Sequence, residues 1–237
     1  MIRLDKFLCE MELGTRSQVK DMIKKGQVSV DGEVIKKADC KFEEITAKVC
    51  VNGKEISYQK YFYYMLNKPA GVVSATTDNH DKTVLDLLKD AQGKELFPVG
   101  RLDKDTEGLL LITNDGELSH NLLSPKKHVE KTYFVKTAIE VNVEMIQRLE
   151  QGVDIGEEKL TLPAKVKQLE TKEIELTITE GKFHQVKRML KAVGNEVVYL
   201  KRLSMGSLKL DESLSLGEYR SLTDEEVEGL KKANKEL

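Results

Sequence analysis

The chain has 237 residues, of which 33% are charged and 40% hydrophobic, and its formal net charge is −2. That length suits one large domain or two unequal ones, and that composition suits a soluble globular protein. The longest apolar runs, such as residues 108–113, are far too short to span a bilayer, and the first residues show no apolar signal core, so neither a membrane protein nor a secreted one is expected.

From the N-terminus, Leu4, Phe7, Leu8 and Met11 recur at helical spacing, and Gly14 ends that helix. Thr15 or Ser17 can cap a second helix over residues 18–25, with Val19, Met22 and Ile23 facing inward and Gly26 stopping it. Val28-Ser29-Val30 alternates as a strand, Asp31-Gly32 is a hairpin turn, and Glu33-Val34-Ile35 returns. Val49-Cys50-Val51 before Asn52-Gly53 repeats the strand-and-turn signal. Residues 56–60 are a short polar connection, which places a domain boundary near residue 58.

Beyond it, residues 61–66, 109–113, 132–137 and 174–179 are rich in β-formers, whereas residues 83–88, 143–151 and 184–193 carry helical patterns. Strands and helices mixed without a strict βαβ rhythm predict an α+β domain with a mixed or antiparallel sheet. There is no phosphate-binding glycine loop, no G-x-G-x-x-G and no internal repeat, so nucleotide-driven and nicotinamide chemistry have no support. Cys9, Cys40 and Cys50 lack C-x-x-C spacing and read as reduced thiols of a cytoplasmic protein.

The charge is unevenly spread. Acid gathers near the C-terminus, whereas residues 182–209 hold seven Lys and Arg against Glu196 alone. Lys126, Lys127 and Lys131 form a second basic cluster, and Arg16, Lys20, Lys24 and Lys25 a third. Three local basic patches on a near-neutral chain suit an RNA surface that touches part of the molecule, although scattered lysines on a solvated face would look the same.

Four runs could carry chemistry. Residues 100–116, Gly-Arg-Leu-Asp-Lys-Asp-Thr-Glu-Gly-Leu-Leu-Leu-Ile-Thr-Asn-Asp-Gly, put a carboxylate and an arginine in a polar loop before an apolar strand and an Asn-Asp-Gly turn. A loop held against a buried strand is a rigid perch for a nucleophile, yet Asp103 taken alone reads as a solvated charge. Residues 64–71, Tyr-Met-Leu-Asn-Lys-Pro-Ala-Gly, run from a strand into a turn. Lys131-Thr132-Tyr133 follows a basic segment, and an isolated strand Tyr is ordinarily packing. Residues 180–190, Glu-Gly-Lys-Phe-His-Gln-Val-Lys-Arg-Met-Leu, open a basic helix. Asp105 and Asp115 near Asp103 do not make a persuasive metal site, and the four histidines lack ligand spacing, so neither metal nor cofactor is expected.

Taken together and in this order, the four runs resemble the motifs of the pseudouridine synthases, in the branch typified by the small-subunit rRNA enzyme RsuA. The N-terminal pattern, through Arg3-Leu4-Asp5, Thr15-Arg16-Ser17 and Gly26-Gln27-Val28-Ser29-Val30-Asp31-Gly32, resembles the S4 domain, a small RNA-binding module. The resemblance implies an S4 domain at residues 1–58, with RNA contacts from Arg3, Lys6, Arg16, Lys20, Lys24 and Lys25, and a catalytic domain at residues 59–237. There it implies Asp103 as the nucleophile, Tyr133 as the aromatic rest and base for the target, and Lys68 with Pro69 as scaffold. An Arg that pairs with the catalytic Asp in related branches is matched here by Lys187, with Arg188 as the rival. Lys is a point charge without Arg's bidentate fork, but it can still hold a carboxylate ionised. Arg101, Lys126, Lys127, Lys182, His184, Gln185 and Arg188 complete the implied RNA contacts.

The implied function is cofactor-free isomerisation of a uridine in 16S rRNA, a target like uridine 516, by a cytoplasmic monomer acting on 16S rRNA or a small-subunit assembly intermediate, away from membranes. The sister branch acting on 23S rRNA, and a non-catalytic RNA-binding assembly protein that has kept the fold, are the alternatives. Retention of Asp103, Tyr133 and a basic partner argues against the second.

Overall fold

A computed structural model describes residues 1–232 except 12, 45, 57–59 and 90–94, so most of the polar connection at residues 56–60 lies outside the described residues. The chain divides into two compact units, Met1–Lys60 and Tyr61–Leu237.

The first unit holds β1 (Ile2–Arg3), α1 (Leu4–Glu10), α2 (Arg16–Lys24), β2 (Val28–Val30), β3 (Glu33–Val34), β4 (Lys41–Phe42), β5 (Val49–Val51) and β6 (Lys54–Ile56). Helix α2 starts two residues earlier than its apolar spacing suggests. Thr15 caps it through a capping box, its side chain meeting Gln18 N while Gln18 Oε1 accepts from Thr15 N at 2.8 Å. Strands β3-β2-β5-β6 form an antiparallel sheet. Both of its expected turns are present. Asp31 (φ 51°) and Gly32 (φ 86°), like Asn52 (φ 51°) and Gly53 (φ 78°), take the doubly left-handed turn that matches strand twist. Leu4, Phe7, Leu8, Val19 and Ile23 bury against this sheet, with Phe7 edge-on to Phe42 at 5.1 Å.

The second unit is α+β. Its strands are β7 (Tyr63–Lys68), β8 (Phe97–Pro98), β9 (Glu107–Thr113), β10 (Lys131–Thr137), β11 (Lys165–Glu170), β12 (Glu173–Ile178), β13 (Val197–Met205), β14 (Leu208–Lys209) and β15 (Tyr219–Ser221). Its helices are α3 (Gly116–Leu123), α4 (Val143–Gln151), α5 (Gln185–Ala192) and α6 (Asp224–Lys232). The main path of the sheet runs β11-β12-β10-β13-β9-β7-β15. Strands β9 and β13 pair in parallel within an otherwise antiparallel path, so the sheet is mixed. Strand β9 reads as a continuous apolar run because both its faces are covered. Leu110 and Ile112 join one core with Leu149, Met189 and Leu190, while Leu109 and Leu111 join another with Leu118, Leu122 and Leu230.

Three local expectations need correction. Asn114-Asp115-Gly116 is more than a tight turn. Asp115 N-caps α3, its Oδ1 accepting from Leu118 N at 3.0 Å and its Oδ2 from the Tyr63 hydroxyl at 2.7 Å. Residues 83–88 hold only a single 3-10 turn, Leu85–Leu87, opened by a reciprocal cap in which the Asp86 carboxylate accepts from the Thr83 amide at 2.7 Å. The basic helix also starts one residue later than expected, at Gln185. His184 takes a left-handed backbone (φ 47°) ahead of it.

Candidate active site

The site begins with a loop held in place by backbone contacts. Lys68, at the end of β7, is completely buried, and its Nζ donates to the carbonyls of Pro69, Asp103, Lys104 and Thr106 at 2.8–3.3 Å. Burial draws the Lys68 pKa down to about 8, against the pull of Asp105, Asp103 and Glu107. Ser74 closes a two-way bond with Leu102, donating Oγ to its carbonyl at 2.9 Å and accepting from its amide at 3.0 Å. Gly71 N reaches the Lys104 carbonyl at 2.7 Å. Residues 102–106 are thus fixed at both ends, as a reacting group requires.

Asp103 projects from this loop towards α5. Lys187 Nζ lies 3.1 Å from its Oδ2, and His184 Nε2 lies 3.5 Å from its Oδ1. Lys187 also bridges to Asp105, at 2.6 and 2.9 Å. Burial lowers the Lys187 pKa, but the bonds to Asp105 and Asp103 outweigh it and the net shift is upward, so the ammonium stays charged. The same Lys187 bond holds Asp105 below the usual carboxylate range. Arg188 faces elsewhere. Its Nε donates to the Ile155 carbonyl at 3.0 Å, and its Nη1 reaches Glu157 at 2.8 Å and the Phe183 carbonyl at 3.0 Å. Of the two candidates for the partner of Asp103, only Lys187 is beside it.

Asp103, Lys187 and Tyr133 line one cavity of about 440 Å³, open mouth included, whose apolar wall is Leu102, Ile178, Val186 and Leu200. Tyr133 is buried on β10. Beside this cavity runs a wider cleft of about 1450 Å³ that shares Arg101, Asp103, Lys182 and His184 with it and adds Pro125 and Lys131. A small half-apolar chamber beside a wider trench lined by both cationic and apolar side chains is the shape a flipped nucleotide on a strand would need.

The remaining expected contacts fall into three groups. Arg101, Lys182 and His184 line the trench, and exposed Lys126 lies in the turn Pro125–Lys127 next to it. Gln185, by contrast, is buried and ties the loop together, bonding Lys182 N at 2.9 Å and Glu180 at 2.8 Å. In the first unit Arg16, Lys20, Lys24 and Lys25 are exposed, while Arg3 pairs with Asp5 at 2.8 Å and Lys6 with Glu10 at 3.5 Å. Ser74 had no distinguishing sequence signal, and Lys131, singled out as part of a basic cluster, gave no sign that it would be buried. Exposed Phe183, stacked on His184 at 3.9 Å, could have been found as an aromatic inside a basic run.

The RNA pseudouridylate synthase family model matches residues 62–192, and the S4 domain model matches residues 2–40. The chain belongs to the RNA pseudouridylate synthase family. It is therefore an isomerase built from an N-terminal S4 domain and a pseudouridine synthase domain. It is 52% identical to an uncharacterized RNA pseudouridine synthase of Bacillus subtilis, over 95% of this chain and 97% of that protein. It is 45% identical to the ribosomal small subunit pseudouridine synthase A of Vibrio cholerae, over 95% and 98%. A crystal structure of a pseudouridylate synthase superposes with a TM-score of 0.69 at 39% identity, covering 97% of this chain and all of the other. No helix among the described residues is long and apolar enough to cross a membrane.

Proposed function

We propose that this enzyme isomerises one uridine of 16S rRNA, at a position like uridine 516, with Asp103 as nucleophile, Tyr133 as the aromatic rest for the flipped base and Lys187 as the counter-ion that pairs with Asp103 and orients it. The observation that carries the reading is Asp103 held 3.1 Å from Lys187 in a chamber walled by Tyr133. Isomerisation breaks the bond from ribose C1′ to N1 and forms one from C1′ to C5, while N1 gains a proton and C5 loses one. Cleavage leaves an electron-poor sugar that a fixed carboxylate can trap. Flipping gives up stacking at a cost of roughly a few kcal/mol, which an aromatic face partly offsets. Half-buried Lys187 sets a fixed positive charge 3.1 Å from the carboxylate and orients it towards the chamber.

The small-subunit substrate is supported by the names of the relatives from Vibrio and Salmonella, each a ribosomal small subunit pseudouridine synthase A. The first unit, with Arg16, Lys20, Lys24 and Lys25 on its surface, is proposed as the anchor on that RNA. Mapping pseudouridines in rRNA from cells with and without the gene tests the assignment. Loss of one pseudouridine from 16S rRNA is the expected result. Loss from 23S rRNA instead, or no loss from either, would overturn it.

A further inference from the structure

Lys131 is the first residue of β10, and among the described residues no carboxylate lies within ion-pair distance of it. It is only 7% exposed, and its Nζ donates to a single acceptor, the Val129 carbonyl at 2.8 Å. Its nearest charged influence is repulsive. Buried Arg202 spends its Nε on the Leu109 carbonyl at 2.7 Å and leaves Nη2 without a hydrogen-bond partner. Burial first, and Arg202 second, pull the Lys131 pKa down to about 8. An isolated buried ammonium is among the more costly groups a fold can hold, and ordinary structural lysines avoid it by pairing or by reaching solvent.

The position of Lys131 explains what the charge is for. It lines the trench beside the small chamber. Lys131 and Tyr133 are two residues apart on one strand, so they share a face, roughly 7 Å apart along it. That spacing is comparable to the reach from a nucleobase to the phosphate of its own nucleotide. The carboxylates on the trench are already engaged. Asp103 meets Lys187, Glu180 accepts from Gln185 at 2.8 Å, and Asp78 accepts from the amides of His80 and Asp81 at 2.8 Å. Among the described residues lining the trench, exposed Arg101 and buried Lys131 are cations with protons left to give, and only Lys131 holds them in dry surroundings.

We infer that Lys131 is a phosphate-binding residue of the trench, holding a backbone phosphodiester next to the nucleotide whose base enters the chamber. This rests on the proposed function, since it needs an RNA strand lying in the trench. A phosphate arriving there supplies the missing counter-ion, and the dry surroundings make that single contact stronger than one from an exposed lysine.

Lys131→Met tests it, because methionine fits the buried stem and removes the ammonium, together with its one bond to the Val129 carbonyl. The variant should melt at a higher temperature than the wild type, since an unpaired buried charge is gone. It should bind both a 16S fragment and a short oligouridylate about tenfold more weakly at low salt, with the slope of log affinity against log salt flattened by about 0.7. Replacing the phosphates one at a time by neutral methylphosphonates should cost the wild type affinity at one position and cost Lys131→Met nothing there. Unchanged affinity and slope, or an unchanged penalty at that phosphate in the variant, would overturn the inference and leave Lys131 a structural residue. The oligouridylate separates the two readings. If the wild type leaves 16S rRNA unmodified, the small-subunit assignment fails, while the phosphate contact is still read directly from binding.

Discussion

At the scale of single residues, charge placement decides roles that residue type alone leaves open. Lys187 and Arg188 are neighbours in a basic run, yet a helix turns adjacent side chains by about 100°. One therefore meets Asp103 and Asp105 and the other meets Ile155 and Glu157. Lys187→Met should lower single-turnover rate by roughly a hundredfold with RNA affinity nearly unchanged, the effect expected when a fixed charge leaves a reacting group. Arg188→Met should instead cost about 1 kcal/mol of stability, seen in thermal melts, with turnover close to wild type. The reverse pattern would exchange their roles. Two lysines also set a pH dependence. Lys68 and Lys131 titrate near 8 in the fold and near 10.4 when unfolded, so between those values the unfolded chain binds more protons and stability rises with pH. Melting temperatures at pH 7.5 and 9.5 should show that rise, and Lys131→Met should reduce it. A wild-type melting temperature that falls over this range would contradict the assignment of buried, cationic lysines.

At the scale of elements, the critical junction is where β9 and β13 run in parallel, Gly108 beside Arg202. A Cβ on Gly108 would sit 2.3 Å from the Arg202 carbonyl oxygen, and its φ is +99°. Gly108→Ala should therefore destabilise by about 3 kcal/mol, from backbone strain plus a steric clash. That corresponds to roughly 6–12 °C in melting temperature, and a shift under a degree would show that the strands can separate freely. How legible each element was follows from its exposure. Strand β9 was readable because burial on both faces wrote a solid apolar run. Helix α4 was readable from apolar spacing, with Asn142 capping it at 2.9 Å. Edge strand β11, Lys-Val-Lys-Gln-Leu-Glu, is mostly exposed and reads as polar chain. Strand β13 is broken in pattern by buried Arg202, and α6 was hidden among C-terminal acids. The motifs disclosed Asp103 and Lys187, but the sharing of Lys187 with Asp105, the clamp by Ser74 and the isolation of Lys131 are tertiary facts with no local signature.

At the scale of the whole molecule, each unit has its own apolar core, so the second should fold without the first. Deleting residues 1–60 should leave a folded protein that binds rRNA weakly. Its salt dependence should be flatter, by roughly 0.7–0.9 in slope for each phosphate that the truncated protein no longer neutralises. Activity should recover at high enzyme concentration or low salt, because Asp103, Tyr133 and Lys187 remain. Unchanged affinity and slope would mean that the trench alone carries RNA binding. The central claim concerns Asp103, and one substitution tests it most directly. Asp103→Asn keeps the shape of the side chain and one acceptor oxygen but removes the anion. Pseudouridine formation on a 16S rRNA fragment under single-turnover conditions should fall below detection while RNA affinity stays within about twofold of wild type, and turnover near the wild-type rate would contradict the account.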